Sequence, residues 1–244
     1  MITAVLIDGA YFVRRFRAIE PHNALDAKRA AEQAFRWAVA HLKEGSRKYD
    51  LYRIFFYDCP PLDKKLHNPL TKRAIDFKLS QEAVFRHELH KELKQRRKVA
   101  LRLGHLAGES PWTIKAEKIQ KILKGEIDSK DLTENDVIPN VRQKGVDMRI
   151  GLDISSLAFK KQVHQIVLMA GDADFVPAAK LARREGIDFV LDPMWRQVPE
   201  GLIEHIDGLR STCPKPKKTS TQAEAGTADA NSTPQANALC RLLS

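Results

Sequence analysis

Short runs of apolar residues alternate along the chain with longer segments in which apolar residues recur every three or four positions. The longer spacing is that of one helix face, whereas a short continuous apolar run is typical of a strand buried on both faces of a parallel sheet. The strands predicted in this way cover residues 2–7, 51–57, 99–106, 166–169 and 187–191. The predicted helices cover residues 25–43, 70–98, 114–124, 143–159, 175–184 and 200–209. This succession of strand, helix and strand predicts an α/β fold whose right-handed crossovers pair the strands in parallel.

Acidic residues stand where several of these apolar runs end. Asp8 follows the first run and Asp58 the second, while Asp172 and Asp174 come just after the run at 166–169. Open α/β sheets bind ligands at the carboxyl ends of their strands, so these carboxylates are candidates to hold Mg²⁺ or Mn²⁺, which prefer oxygen ligands. Alternatively, Asp172 or Asp174 caps the helix predicted at 175–184. A cap needs only one Asp, so it does not explain why two are present. We expect Asp58 to be a weaker candidate than Asp8.

Two further carboxylates lie on the helix predicted at 143–159. At about 100° per residue, Asp147 and Asp153 fall on opposite edges of the apolar face. Asp147 belongs to the first turn, where a carboxylate suits the helix N-terminus and can face the mouth of the sheet. Asp153 is in mid-helix and half-turned to the core, so we expect it to form a buried pair or hydrogen bond. Asp147 is therefore the stronger candidate for the site and Asp153 a secondary one.

The chain is strongly basic, and part of that charge lies near the candidate carboxylates. Lys and Arg total 41 against 31 Asp and Glu, a formal charge of +10 that favours a polyanionic partner such as nucleic acid. Arg14 and Arg15 follow Asp8 closely, and Lys144 precedes Asp147. These three cations are candidate phosphate contacts. Each arginine can also be an ordinary surface residue, and Lys144 can simply pair with the carboxylates.

A second basic run ends the helix predicted at 70–98. Its cations, at residues 91–98, can favour the C-terminal end of the helix dipole or line a groove that follows a phosphate backbone. His87 and His90 lie in the same helix and are expected to be solvated rather than to act as ligands.

Composition argues against several other classes of protein. No apolar run approaches the roughly 20 residues that span a membrane, and the short apolar start lacks the basic segment of a signal peptide. Three cysteines, Cys59, Cys213 and Cys240, make neither a disulfide framework nor a zinc site, which favours a cytoplasmic location. The sequence does not fix the oligomeric state, and a homodimer is one state that it allows.

The chain divides by composition into a domain and a tail. We expect one domain at residues 1–209, with a helical, basic insertion around residues 60–140. Residues 210–244 are rich in Lys and Pro and then in Ser, Thr, Ala and Asn, with little to bury. They are therefore expected to form a disordered, low-complexity tail.

Three blocks of sequence, in order, resemble the NYN domain, specifically its bacterial LabA-like branch. They are Ile7-Asp8-Gly9, Lys144-Gly145-Val146-Asp147 with Asp153, and Gly171-Asp172-Ala173-Asp174-Phe175. The resemblance spans about residues 1–209 and implies a PIN-like three-layer sandwich, with a mainly parallel central sheet flanked by helices. It also implies an acidic cluster that binds Mg²⁺ or Mn²⁺ and cleaves RNA, with Asp8, Asp147, Asp172 and Asp174 at the acidic positions. Many members have Asn three residues after the first Asp, where this chain has Tyr11, so a polar contact near the metal or the scissile phosphate is changed.

Three functions are compatible with these residues. The preferred hypothesis is an endoribonuclease whose aspartates hold divalent cations that lower the pKa of a bound water and neutralise charge on the phosphate. The second is a non-catalytic RNA-binding or regulatory adaptor, which Tyr11 favours. The third is a phosphatase-like hydrolase of small phosphate esters, but position 10 is Ala, so the Asp-x-Asp nucleophile motif of such enzymes is missing after the first strand.

Overall fold

In the computed structural model, which describes residues 1–107 and 112–216, six strands form one parallel sheet. The strands are Ile2–Asp8 (β1), Asp50–Asp58 (β2), Val99–Leu103 (β3), Gln165–Met169 (β4), Asp188–Asp192 (β5) and Gly208–Leu209 (β6). Their order across the sheet is β6-β5-β4-β1-β2-β3, and each neighbouring pair is parallel. The chain therefore starts at the centre, extends the sheet to one side through β2 and β3, and then returns to extend it on the other side.

The described part of the chain has seven α-helices, and six of them cover the two faces of this sheet. The seven are Gly9–Ile19 (α1), Ala27–Ala40 (α2), Gln81–Lys94 (α3), Ala116–Leu123 (α4), Val146–Phe159 (α5), Val176–Arg184 (α6) and Glu200–Ile203 (α7). Side chains of α1, α2 and α3 form one core layer with Val5 and Ile7, and those of α5, α6 and α7 form the other with Ala4 and Leu6. Burial on both faces explains why β1 is a continuous apolar run. The predicted α/β sandwich with a parallel central sheet is confirmed.

Two predicted helices are shorter than expected. The helix predicted at 70–98 begins only at Gln81, where the Ser80 side chain caps it by accepting a hydrogen bond from the backbone of Ala83 at 3.2 Å. Before that cap, Lys65–His67 and Ala74–Asp76 pair as an antiparallel ribbon. The helix predicted at 200–209 ends at Ile203, and its last two residues form the edge strand β6 instead.

The strand predicted at 99–106 is also divided. Its first part is β3, but His105–Ala107 leaves the sheet and pairs antiparallel with Arg142–Lys144. Because residues 142–144 are in this strand, α5 begins later than the predicted residue 143. Gly145, with a positive φ of 81°, separates the strand from the helix, which begins at Val146. Segments of three residues are too short to produce a visible periodicity.

The predicted insertion at 60–140 contains two elements of the sandwich itself. Phe85, Leu89 and Leu93 of α3 are buried in the core, and β3 pairs with β2. The rest of the described part of this segment includes small ribbons and α4, in which no residue is fully buried.

The packed chain continues beyond residue 209, the predicted end of the domain. Cys213 is buried, and the Thr212 hydroxyl donates to the Trp37 carbonyl at 2.8 Å. Most of the predicted tail, residues 217–244, lies outside the described residues. Over the described part of the chain, no helix combines the length and the apolar character that crossing a membrane requires.

Candidate active site

Asp8 lies where β1 passes directly into α1. It is the N-cap of the helix, and its Oδ1 accepts a hydrogen bond from the Tyr11 backbone at 3.1 Å. The next residue must be Gly, because a Cβ on Gly9 would lie 2.5 Å from the Tyr57 carbonyl oxygen at the end of β2. This close turn fixes the Asp8 carboxylate at the carboxyl edge of the sheet.

Asp172 and Asp174 lie in the turn that leads from β4 towards α6. One oxygen of Asp172 accepts the Asp174 backbone amide at 3.2 Å and so caps a short 3₁₀ turn, Ala173–Phe175. The capping role considered from the sequence is therefore real for Asp172. Both side chains are exposed to solvent, and in the described part of the chain the Asp174 carboxylate has no hydrogen-bonding partner.

Tyr11 closes one side of the same crevice. Its ring packs so closely on Gly171 that a Cβ at that position would overlap it. Its hydroxyl donates to the Pro193 carbonyl at 2.6 Å, which ties α1 to the segment after β5. Tyr11 thus fills a structural position here, and its hydroxyl already has an acceptor.

Asp147 completes the acidic group from the first turn of α5. Its side chain reaches solvent, but the protein around it removes part of the hydration of the carboxylate. This desolvation, together with the charges of Asp172 and Asp174, raises the pKa of Asp147. Burial also raises the pKa of Asp8 to about 6, with repulsion from Asp147 adding to it, while the Tyr11 amide and Arg14 act in the opposite direction. The four predicted carboxylates therefore lie at one edge of the sheet, where Asp147 repels each of the other three.

The donor set fits a divalent cation in charge and in ligand type. Carboxylate oxygens are the ligands that Mg²⁺ and Mn²⁺ prefer, and a cation would offset both the burial that raises the pKa values of Asp8 and Asp147 and the repulsion that adds to it. The side chains are nevertheless not drawn together: within residues 1–107 and 112–216, no three His, Cys, Asp or Glu side chains are grouped closely enough to hold a metal ion.

Cationic side chains border Asp8 and Asp172 in a cleft of about 180 Å³, whose lining includes neither Asp147 nor Asp174. It is lined by Asp8, Tyr11, Arg14, Arg15, Gly171, Asp172, Arg196 and Gln197. Arg14 is exposed and lies 6.0 Å from the centre of the Tyr11 ring. Arg15 is a positioning residue, because its guanidinium donates to the Met194 carbonyl at 2.7 and 3.0 Å.

Sequence reasoning missed Arg196 and Gln197 as cleft residues. The available signal was their place just after a strand that ends in Asp192, which is the same rule that found Asp8. Lys144 is exposed in the ribbon opposite His105 and is not among the residues that line the cleft. Its role in substrate binding stays a prediction.

The two secondary aspartates lie outside the cleft. Asp58 is fully buried and accepts hydrogen bonds from Arg86 at 2.6 Å, His90 at 2.8 Å and the Cys59 amide at 2.9 Å. Burial alone would raise the pKa of Asp58, but Arg86 and His90 outweigh it and hold that pKa below its usual value. The expectation that His90 is solvated was wrong, because this buried carboxylate needs it as a partner.

Asp153 forms the hydrogen bond expected of a half-buried residue. Its Oδ2 accepts the Tyr57 hydroxyl at 2.8 Å and pairs with Arg102 at 3.3 Å. These contacts join α5 to β2 and β3 across the face of the sheet.

Comparison with known proteins identifies the family. The NYN domain model matches residues 76–203, which include Asp147, Asp172 and Asp174. Among solved structures, a protein of unknown function from Vibrio parahaemolyticus aligns with a TM-score of 0.43 and 16% identity, over 85% of this chain and 90% of that chain. No curated protein matches the sequence. Because the family model covers more than half of the chain, the protein belongs to the NYN domain family, a nuclease-like family.

Proposed function

We propose that this protein is a Mg²⁺- or Mn²⁺-dependent endoribonuclease of the LabA-like branch, which hydrolyses RNA phosphodiester bonds at the cleft around Asp8. The observation that carries the proposal is the convergence of four carboxylates from three separate elements. Asp8 ends β1, Asp147 opens α5, and Asp172 and Asp174 follow β4. They meet where β1 and β4 lead to helices on opposite faces of the sheet, the usual ligand position in such folds.

The hydrogen bonds at this edge fix the aspartates and leave acceptor capacity free. Asp8 and Asp172 each use Oδ1 for a backbone amide, at 3.1 and 3.2 Å. Because a carboxylate has about four lone-pair sites, most of each group remains available to a cation. When bound, Mg²⁺ or Mn²⁺ supplies a water of lowered pKa and neutralises charge on the phosphate.

The surrounding charges explain how an acidic site accepts an acidic substrate. The four carboxylates alone would repel an RNA backbone, so the site accepts substrate only after its own charge is neutralised. Arg14 and Arg196 border the cleft, where they attract the phosphates that flank the scissile bond. Lys144 is proposed to help from the ribbon beside Asp147.

One observation favours a second candidate, a non-catalytic RNA-binding adaptor. The Tyr11 hydroxyl, at the position where many NYN proteins have Asn, donates to Pro193 and so is occupied within the protein. A site that lacks a polar contact to the scissile phosphate can keep RNA binding without cleavage. The two candidates predict different results in one experiment.

That experiment is the cleavage of a mixed pool of single-stranded and structured RNA in Mg²⁺, Mn²⁺ or EDTA. We expect wild-type cleavage to require metal and Asp172→Asn to lower the rate about 100-fold or more, since a charge aimed at the reacting centre is removed. Asp172 is exposed and Asn is also a good cap, so stability should change by less than about 0.5 kcal/mol.

The matched control is Asp50→Asn. Asp50 is an exposed carboxylate at the opposite end of the sheet, and its variant should cleave like wild type. RNA binding without metal-dependent cleavage, and with no difference between wild type and Asp172→Asn, would select the adaptor instead.

A further inference from the structure

The segment after β5 has an unusual backbone that the rest of the protein holds in place. Met194 and Trp195 are consecutive residues with positive φ, 47° and 67°. This left-handed conformation is unfavourable for residues with side chains and often marks functional sites. Arg15 binds the Met194 carbonyl, Tyr11 binds the Pro193 carbonyl, and Met194 itself is buried.

This backbone presents the Trp195 ring to solvent in a fixed position. The residue is 48% exposed, which is unusual for so large an aromatic side chain. It is nevertheless anchored twice, because its indole Nε1 donates to the Cys213 carbonyl at 2.7 Å and its backbone amide donates to the Ser211 hydroxyl at 3.0 Å. A ring that is both exposed and immobilised loses little conformational entropy when a ligand packs on it.

Cations extend from this ring to the carboxylates. The Lys215 ammonium lies over the Trp195 ring, 5.5 Å from its centre, and Arg196, the next residue in the chain, lines the cleft that also contains Asp8 and Asp172. Arg14 borders the same cleft, 6.0 Å from the centre of the Tyr11 ring. In the described part of the chain, neither Arg14 nor Arg196 pairs with a carboxylate, so both are available to phosphates.

We infer that Trp195 stacks on an unpaired base of single-stranded RNA while Arg196 and Lys215 contact the neighbouring phosphates. The inference rests on the proposed function in taking RNA as the substrate, and it specifies the class of RNA. Bases in an A-form duplex are stacked on one another and cannot pack on a protein ring, whereas single-stranded bases can. Exposed aromatic rings in a positively charged groove are the common arrangement for binding single strands.

The test measures binding separately from cleavage, in the Asp172→Asn background and in Mg²⁺. A fluorescent single-stranded RNA and a hairpin duplex of the same composition are titrated with the parent, with added Trp195→Ala and with added Trp195→Phe. We expect Trp195→Ala to lose about tenfold or more in single-strand affinity, Trp195→Phe to retain most of it, and duplex binding to change little. Scanning one abasic nucleotide along the single strand should find a position that weakens the parent but not Trp195→Ala.

The matched control is Phe159→Ala, which removes a similarly exposed aromatic ring, 60% exposed, at the end of α5. Equal single-strand affinity of Trp195→Ala and its parent, or an equal loss in Phe159→Ala, would overturn the stacking role. Trp195-dependent binding in a wild type that does not cleave would overturn the nuclease and leave the stacking role intact. Failure of the parent to bind either RNA would overturn both.

Discussion

Aspartates at the carboxyl end of this sheet fall into two groups with opposite environments. On the two central strands, Asp8 and Asp172 border an open cleft and accept one backbone hydrogen bond each. On their outer neighbours β2 and β5, Asp58 and Asp192 are fully buried. All four follow the same sequence rule, an apolar run followed by Asp, yet only the central pair is open to a ligand.

The buried pair differs because other elements fill its lone pairs. Asp192 accepts hydrogen bonds from His41 at 2.9 Å, the Met194 amide at 2.8 Å and the Thr212 amide at 3.3 Å. Asp58 is likewise surrounded by the side chains of α3. At the centre, β1 and β4 lead to helices on opposite faces, and in the described part of the chain only backbone amides donate hydrogen bonds to Asp8 and Asp172. The comparison indicates that a strand-end carboxylate becomes a site where the topology leaves it without partners.

The largest difference between the groups should be in stability. Asp58→Asn leaves the buried Arg86 guanidinium with Glu82 as its remaining partner, and breaking a buried ion pair from one side costs about 3–5 kcal/mol. Denaturant unfolding should therefore show a loss of that size, against almost none for Asp172→Asn. The double variant Asp58→Asn with Arg86→Met should recover part of the loss, since it removes the unpaired charge. Equal unfolding free energies for Asp58→Asn and Asp172→Asn would remove the distinction between the groups.

One member of each group, Asp8 and Asp58, should also respond to pH with opposite signs. Burial and Asp147 raise the pKa of Asp8 from 3.8 to about 6. Between these values the folded protein binds more protons at Asp8 than the unfolded chain does. The free energy of unfolding therefore falls as pH rises through this range, and the loss is complete above about pH 6. Asp8→Asn, which keeps a good cap, should be about 2–3 kcal/mol more stable than wild type at pH 7 and nearly equal to it below pH 4.

Asp58 supplies the opposite case. Because its pKa is lowered in the folded protein, Asp58 stabilises the fold at pH values above the ordinary pKa of Asp. This stabilisation is lost as pH falls through the lowered pKa of the folded protein. Denaturant unfolding across pH 3–8 distinguishes the two, with wild type and both variants measured in EDTA. Mg²⁺ should reduce the advantage of Asp8→Asn if the cation binds the ionised carboxylate. A constant difference between Asp8→Asn and wild type at every pH would contradict the raised pKa.

Much of the fold could be predicted from the sequence because burial on both faces leaves a strong pattern. Val5, Ile7 and their neighbours in β1 form such a run, and the long helices show their spacing clearly. The edge strand β6 was missed because it has only two residues and pairs on one side. The start of α3 depends on the Ser80 cap, which no periodicity records.

The candidate site was only partly predictable for a related reason. Asp8, Asp147, Asp172 and Asp174 stand in local patterns that the sequence displays. The partners that distinguish Asp58 do not, because Arg86 is 28 residues away and His90 is 32 residues away. Similarly, Arg15 meets Met194 across 179 residues, and nothing in either local sequence indicates that contact.

The smallest predicted effect separates two adjacent arginines in the cleft. Arg14 is exposed and makes no hydrogen bond in the described part of the chain, whereas Arg15 holds the Met194 carbonyl. Arg14→Gln should therefore weaken RNA binding and reduce the slope of log affinity against log salt by about 1, which is the loss of one phosphate contact. Its unfolding free energy should change by less than about 0.5 kcal/mol.

Arg15→Gln should instead lose stability first. Its removal leaves the Met194 carbonyl without two charged donors, which should lower the unfolding free energy by about 1–3 kcal/mol. Any loss of RNA affinity should then come with a displaced 193–197 segment, seen as a change in Trp195 fluorescence that Arg14→Gln does not produce. Salt titrations of both variants in the Asp172→Asn background measure the two effects separately. Arg14 is assigned to RNA binding and Arg15 to holding the 193–197 segment only because Arg15 binds the Met194 carbonyl and Arg14 makes no such bond. An equal salt slope for Arg14→Gln and its parent, or unchanged stability in Arg15→Gln, would show that this assignment is wrong.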